Sequence, residues 1–245
     1  MNHRIFDFLS QSRILPKSQE TEGNLEKIER IVFHDNLRVS HWTRHFVKNG
    51  NVMVIGSLGY MSYAHSPAHR FTSAAFCSIA TGVRMMGNNH PYSRVSTHPV
   101  SYGPFYREAA RELGASSEAF SKSYDGTPKP TRIHHDVWIG GDVLLAGGLT
   151  IGTGSILAAN AVVTKNVPPY AIVAGMPAKI IKYRFPKAVI QRLLDTKWWQ
   201  YPLEQLAEFE FDDPMAFCDA FERRKSRMIP RQPRIIMAQD ILALR

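Results

Sequence analysis

The sequence predicts an all-β chain wound as a parallel β-helix, and three observations carry that prediction: a six-residue period, one long interruption of it, and a change to helical patterning where it ends. From Ile133 the chain falls into sixes: IHHDVW, IGGDVL, LAGGLT, IGTGSI, LAANAV, VTKNVP and PYAIVA. The leading residues are Ile133, Ile139, Leu145, Ile151, Leu157, Val163 and Pro169, aliphatic at all but the last. Four residues on come Val137, Val143, Leu149, Ser155, Ala161, Val167 and Val173, again apolar or small. A period of six fits neither a 3.6-residue helix nor plain alternation. It fits a coil with three flat faces, in which each hexapeptide supplies a short strand and a turn and its leading residue stacks inward on its equivalent one coil later. Each buried aliphatic lead contributes roughly 1.5–3 kcal/mol, and coils that touch mainly their neighbours need several repeats for stability.

Carried backward, the same register recovers SAAFCS, IATGVR and MMGNNH, led by Ser73, Ile79 and Met85, with weaker sixes IGSLGY and MSYAHS before them. Between His90 and Arg132 the repeat stops. A connection this long inside a compact domain is usually functional, and about 91–132 is expected to be an excursion loop with a short helix near Tyr106–Leu113. After Ala174, PKAVIQRLLDTKWWQYPLEQLAEF reads as an amphipathic helix folding back over the last coils. The expected organisation is an unplaced N-terminal segment (1–50), a β-helix domain with its excursion (51–185), and a C-terminal α-helical segment with a basic tail (186–245).

At 245 residues with 44% hydrophobic and 21% charged residues, the chain has the composition of an ordinary globular protein. No stretch approaches the ~20 apolar residues of a membrane span, and the first residues lack the apolar run of a secretory signal, so a cytoplasmic location is expected. Cys77 and Cys218 make neither a disulfide framework nor a zinc motif and read as buried small hydrophobes. A net charge of +9 favours anionic partners. Six cations crowd into FERRKSRMIPRQPR, read as a solvated tail or an anion site.

GNNHP after IATGVR, then DVWIGGDV, ANAVVTKNVPPYAIVAGMPAKIIKYRF and LLDTKWWQYPLEQL resemble the xenobiotic acetyltransferases, a branch of the hexapeptide-repeat acyltransferases that holds virginiamycin (streptogramin) and CatB-type chloramphenicol acetyltransferases. The likeness covers about Phe76 to Phe209, and the NHPYSRVSTHP motif is similar to polysaccharide or sugar O-acetyltransferases of that branch. The resemblance implies a left-handed coil, a homotrimer, acetyl-CoA as co-substrate and His90 as the catalytic base. It also implies Gly141, Ala159 and Thr164 along the pantetheine arm, and Lys179 and Lys182 near the nucleotide phosphates. As plain residues these are turn positions and surface charge.

Moving an acetyl group from a thioester to an alcohol requires a base for the hydroxyl proton, and histidine suits the task. His90 stands where the repeat breaks. His98, eight residues on, either contacts the acceptor or packs. Charge building on the thioester oxygen needs fixed donors, for which the Gly140 and Gly141 backbone N–H groups are candidates. Trp138 falls on an outward phase and calls for a subunit or the cofactor to cover it, whereas Trp198 and Trp199 are expected to pack the C-terminal segment.

Three other classes fit the sequence less well. A zinc enzyme of the same fold would need converging histidines, and His65, His69, His134 and His135 occupy different phases, so no metal is expected. A structural rod leaves NHP beside the excursion unexplained. The tail lacks interleaved aromatics, which argues against nucleic acid.

Overall fold

The computed structural model describes residues 3–17, 25, 28–35, 37–48, 51–67, 71–115 and 122–244. They form two compact units, Met1–Met85 with Pro130–Arg245, and Met86–Lys129.

The first unit is a coil with three parallel sheets as its faces. One face stacks Phe71–Ser73, Thr131–Ile133 and Thr150–Ile151; another stacks Arg84–Met85, Leu144–Leu145 and Val162–Val163. The longest runs from Ile14–Lys17 through Thr43–Lys48, Tyr63–Ala64, Ser78–Ile79, Trp138–Ile139 and Ile156–Leu157 to Ala171–Ala174. The antiparallel strand Lys179–Tyr183 closes it.

The register explains why the aliphatic leads recur. Ile133 pairs with Ile151, Ile139 with Leu157 and Leu145 with Val163, each eighteen residues away. All six are buried in one continuous core with Val137, Val143, Leu149 and Ala161. Their strands are two or three residues long, so lateral stacking of like side chains, more than strand length, holds the faces.

The period of six fails at both ends, for geometric reasons. Leu157 pairs with Val173 and Ile151 bridges to Val167, sixteen residues on, so the last coil is two residues short and Pro169 leads nothing. Ala64 pairs with Ile79 and Ser57 bridges to Thr72, fifteen residues on. In IGSLGY and MSYAHS the residues that join the core of the later coils are therefore the fourth, Leu58 and Ala64, while Ile55 is buried in a separate core with Leu9, Ile14 and Val39.

Residues 1–50 contribute coils of their own: Ile14–Lys17 and Thr43–Lys48 pair in parallel on the longest face. The corner residues ahead of its strands, Arg13, Trp42, Met61, Phe76, Asp136 and Tyr170, all have φ between 53° and 64°. Left-handed backbone at a bulky residue costs of order 1 kcal/mol and persists only where surrounding structure dictates it. Here paired strands on either side do so.

The C-terminal segment is broken into several helices and is not one. Lys187–Thr196 ends at Lys197, whose φ is 51°, and after the turn Trp198–Gln200 and the short helix Leu203–Leu206 a further helix spans Pro214–Arg224, capped by Asp213. Trp198 and Trp199 are buried with Tyr201, Phe209, Phe217 and Phe221 against Tyr170 of the coil. The basic stretch is anchored, not a free tail. Arg224 pairs with Glu208 at 2.9 Å, the Lys225 ammonium donates to the Asp195 carbonyl at 2.7 Å, and Arg231 lies 4.7 Å over the Tyr60 ring. Beyond it, Ile235–Met237 pairs antiparallel with Arg38–Ser40, and Ile236, Ala238 and Ile241 fill a core with Leu9, Ile14 and Val39.

In the second unit the Asn89 N–H donates to the Gly126 carbonyl at 2.8 Å. A Cβ at Gly126 would meet the Asn89 oxygen at 2.0 Å, so only glycine closes this loop. The expected short helix spans Pro104–Glu112, with proline at its first position, and Gly114 follows it at φ 78°.

Candidate active site

The excursion carries both candidate histidines, in opposite hydrogen-bonding roles. His90 is exposed, with its Nδ1 2.8 Å from the Thr97 carbonyl oxygen and 3.1 Å from the Tyr102 hydroxyl. A carbonyl only accepts, so Nδ1 carries the proton and Nε2 keeps its lone pair. That is the form a general base requires. His98 is the reverse. It caps the turn Pro99–Ser101, its Nδ1 accepting from the Val100 N–H at 3.1 Å, which leaves Nε2–H as a donor 3.5 Å from the Tyr106 hydroxyl. With its lone pair committed to the backbone, His98 can offer a hydrogen bond but cannot take a proton without breaking its cap.

Sequence reasoning missed what surrounds His90. The Arg94 guanidinium donates to the carbonyls of Ser101, Lys122 and Ser123 at 3.0–3.2 Å and lies 5.6 and 5.7 Å from the ring centres of Tyr102 and Tyr124. The only signal was the density of aromatics in an otherwise polar excursion, since partners 28 residues apart follow no local spacing.

On the coil, Gly141 and Ala159 lie at the same corner on adjacent turns, where the Asn160 N–H donates to the Gly141 carbonyl at 2.8 Å. Thr164 is exposed at the next corner, and Lys179 and Lys182 are exposed on the closing strand. The Ala178 N–H donates to the Val162 carbonyl at 2.8 Å, which sets the start of that strand beside the strand leading to Thr164. The two glycines differ sharply. A Cβ at Gly140 would strike the Ala159 nitrogen at 2.6 Å, and the Gly140 N–H is already bonded to the Leu157 carbonyl at 2.8 Å, so Gly140 serves packing and has no free N–H to offer an oxyanion. A Cβ at Gly141 would meet only the Thr81 oxygen, at 3.6 Å.

Trp138 lies on the outer side of the longest face and is 55% exposed. Among the described residues no group of three or more His, Cys, Asp or Glu side chains is placed to share a metal, and no helix is long and apolar enough to cross a membrane. His69 lies outside the described residues. His135 stacks on Trp199 at 4.9 Å and accepts from the Ala75 N–H at 3.2 Å; burial, then His134 and Arg231, push its pKa down to about 4. Both cysteines are buried, and burial drives the Cys77 thiol up to about 12.

The family description "Bacterial transferase hexapeptide (six repeats)" matches residues 130–165. A chloramphenicol acetyltransferase of Escherichia coli is 37% identical over 182 residues, covering 66% of this chain and 81% of that one. One from Morganella morganii is 33% identical over 65% of this chain and 80% of its own. A probable macrolide acetyltransferase of Lysinibacillus sphaericus is 38% identical over 135 residues, 54% of this chain and 69% of its own. With a repeating coil interrupted by one excursion, and identity of this extent over four fifths of the two chloramphenicol acetyltransferases, the chain belongs to the hexapeptide-repeat acetyltransferases, on the branch that contains the chloramphenicol acetyltransferases.

Proposed function

We propose that the chain is an acetyl-CoA-dependent O-acetyltransferase with His90 as general base. The observation that carries this is the His90 tautomer: with Nδ1–H spent on the Thr97 carbonyl, Nε2 is free to take a proton from an acceptor hydroxyl. The freed oxygen attacks the thioester carbon, the C–S bond breaks, and the proton held on Nε2 passes to the departing coenzyme A sulfur. The coil is taken as left-handed and the working form as a homotrimer, in which a neighbouring copy covers Trp138. The pantetheine arm is assigned to Gly141, Ala159 and Thr164, with Lys179 and Lys182 beside the nucleotide phosphates. The room beside Gly141 and the exposure of both lysines suit those roles. The excursion of about 91–132, the β-helix to about 185, extended before residue 51 by the strands Ile14–Lys17 and Thr43–Lys48, and the C-terminal segment from 186 are taken as the functional divisions, in a cytoplasmic protein that uses no resident metal.

The acceptor is a hydroxyl on a sugar, polysaccharide or small molecule, with His98 donating from Nε2 to orient it. A second reading, acetylation of chloramphenicol or a streptogramin, is favoured by the 37% identity to a chloramphenicol acetyltransferase. The test is calorimetry with acetyl-CoA, followed by thiol release with amino sugars, nucleotide sugars, chloramphenicol and a streptogramin as acceptors. His90→Ala is expected to bind acetyl-CoA as the parent does and to lose at least 100-fold in turnover, in line with the usual worth of a general base. Near-normal turnover in that variant would remove His90 from the chemistry, and absence of binding at millimolar acetyl-CoA would favour a structural rod.

A further inference from the structure

We propose that Tyr102 is a positioning residue for His90, holding its ring in the tautomer and orientation that leave Nε2 unprotonated, and that Arg94 holds Tyr102 in turn; this rests on His90 being the base. The His90 Nδ1–H has two oxygens within reach, the Thr97 carbonyl at 2.8 Å and the Tyr102 hydroxyl at 3.1 Å. One hydrogen bond at an exposed side chain is a weak hold, because water competes for both partners. Two acceptors that converge on the same N–H fix the ring plane as well as the proton. They also favour the charged ring that forms when Nε2 takes a proton, since a bond from a charged donor is stronger than one from a neutral donor.

Thr97 alone holds neither the tautomer nor the plane firmly, for water competes at an exposed ring and a carbonyl accepts over a broad range of directions. Tyr102 supplies the second point. It needs support, because its own hydroxyl sits among exposed residues. Arg94 provides it through its contact with the Tyr102 ring at 5.6 Å and its bond to the carbonyl of the preceding residue, Ser101, at 3.1 Å. Two further bonds, to Lys122 and Ser123 at 3.2 and 3.0 Å, tie this corner to the returning arm of the excursion. A planar fork of five donors makes all of these at once, and a lysine ammonium would not. The excursion is thus stitched through one arginine whose last contact before the base is a phenol.

The test uses the full chain. Long-range proton–nitrogen NMR of the histidine rings reads the tautomer of His90, assigned by its loss in His90→Ala. Thiol release from acetyl-CoA, to chloramphenicol or in its absence to water, reads turnover. Wild type is expected to show the Nδ1–H form. Tyr102→Phe keeps the ring over which Arg94 lies, and is expected to show a mixed tautomer and about a tenfold fall in kcat with KM for acetyl-CoA unchanged. Arg94→Lys should shift both readouts the same way. A Tyr102→Phe protein with either the wild-type spectrum or the wild-type kcat would overturn the proposal, as would a wild-type His90 protonated on Nε2. Undiminished thiol release by His90→Ala would instead end the base assignment, whatever the spectra show.

Discussion

At the scale of single residues, adjacent glycines carry different constraints. Gly140 lies against the backbone of the next coil, and the atom that would obstruct a methyl group is a main-chain nitrogen that cannot turn aside. Gly140→Ala should therefore destabilise the protein by about 2 kcal/mol, the usual range for overpacking, read as a thermal midpoint several degrees lower. Gly141→Ala should melt with the parent while raising KM for acetyl-CoA if the pantetheine arm passes there; equal melting temperatures for the two variants would refute the distinction. Both glycines looked alike in the sequence, because the letters give the size of a residue and not which neighbour it abuts. The candidate site was legible to a similar depth. His90 and His98 stood out as histidines at a break in a repeat, but their opposite tautomers depend on Thr97 and Val100 backbone atoms that carry no side-chain signature.

At the scale of elements, the coil could be read most clearly from 133 to 167, where its interior is aliphatic, and back to Ser73 across the excursion; it faded toward the N-terminus because buried polar side chains interrupt the apolar ones there. Thr43 and Ser62 are buried on the same face that Val137 and Ala171 occupy further on. His45 is buried too, with Nε2 2.9 Å from the Thr43 hydroxyl and Nδ1 accepting from the Gly56 N–H at 3.3 Å. Such residues are satisfied by one another or by backbone atoms, as Ser62 is by the Ala74 carbonyl and the Cys77 N–H, and they leave no hydrophobic period to find. The C-terminal strand and its helix were missed for a different reason: their partners, Arg38–Ser40 and Leu9, lie some two hundred residues away. Deleting residues 235–244 would uncover that core by removing Ala238 together with Ile236 and Ile241, the two isoleucines each worth roughly 1.5–3 kcal/mol when buried. The truncated chain is expected to be cut rapidly between residues 3 and 48 in limited proteolysis while 133–174 stays resistant. Uniform resistance would mean the C-terminal strand is dispensable.

At the scale of the whole molecule, stability should fall on the acid side. Burial pushes His45 down to about 3 and His135 to about 4, from an ordinary 6.5. Both are neutral when folded, so their contribution is complete above pH 6.5. It declines as the pH drops toward 4 and below, because the unfolded chain takes up the protons first. For His135 alone the change is of order 3 kcal/mol, and thermal melts from pH 7.5 to 4.5 should show it, with His135→Gln flattening the slope. A midpoint indifferent to pH over that range would contradict the burial of these rings. The excursion has a different consequence at this scale. Ser73 and Ile133 are neighbours in the ladder although sixty positions separate them, and the coil resumes on the far side in the same register. Closing a long loop costs only slightly more than closing a short one, so the scaffold is nearly indifferent to what is spliced in between. The segment behaves as an exchangeable cartridge: a relative's excursion grafted between Met85 and Pro130 would change what the enzyme acetylates while leaving its melting temperature almost where it was.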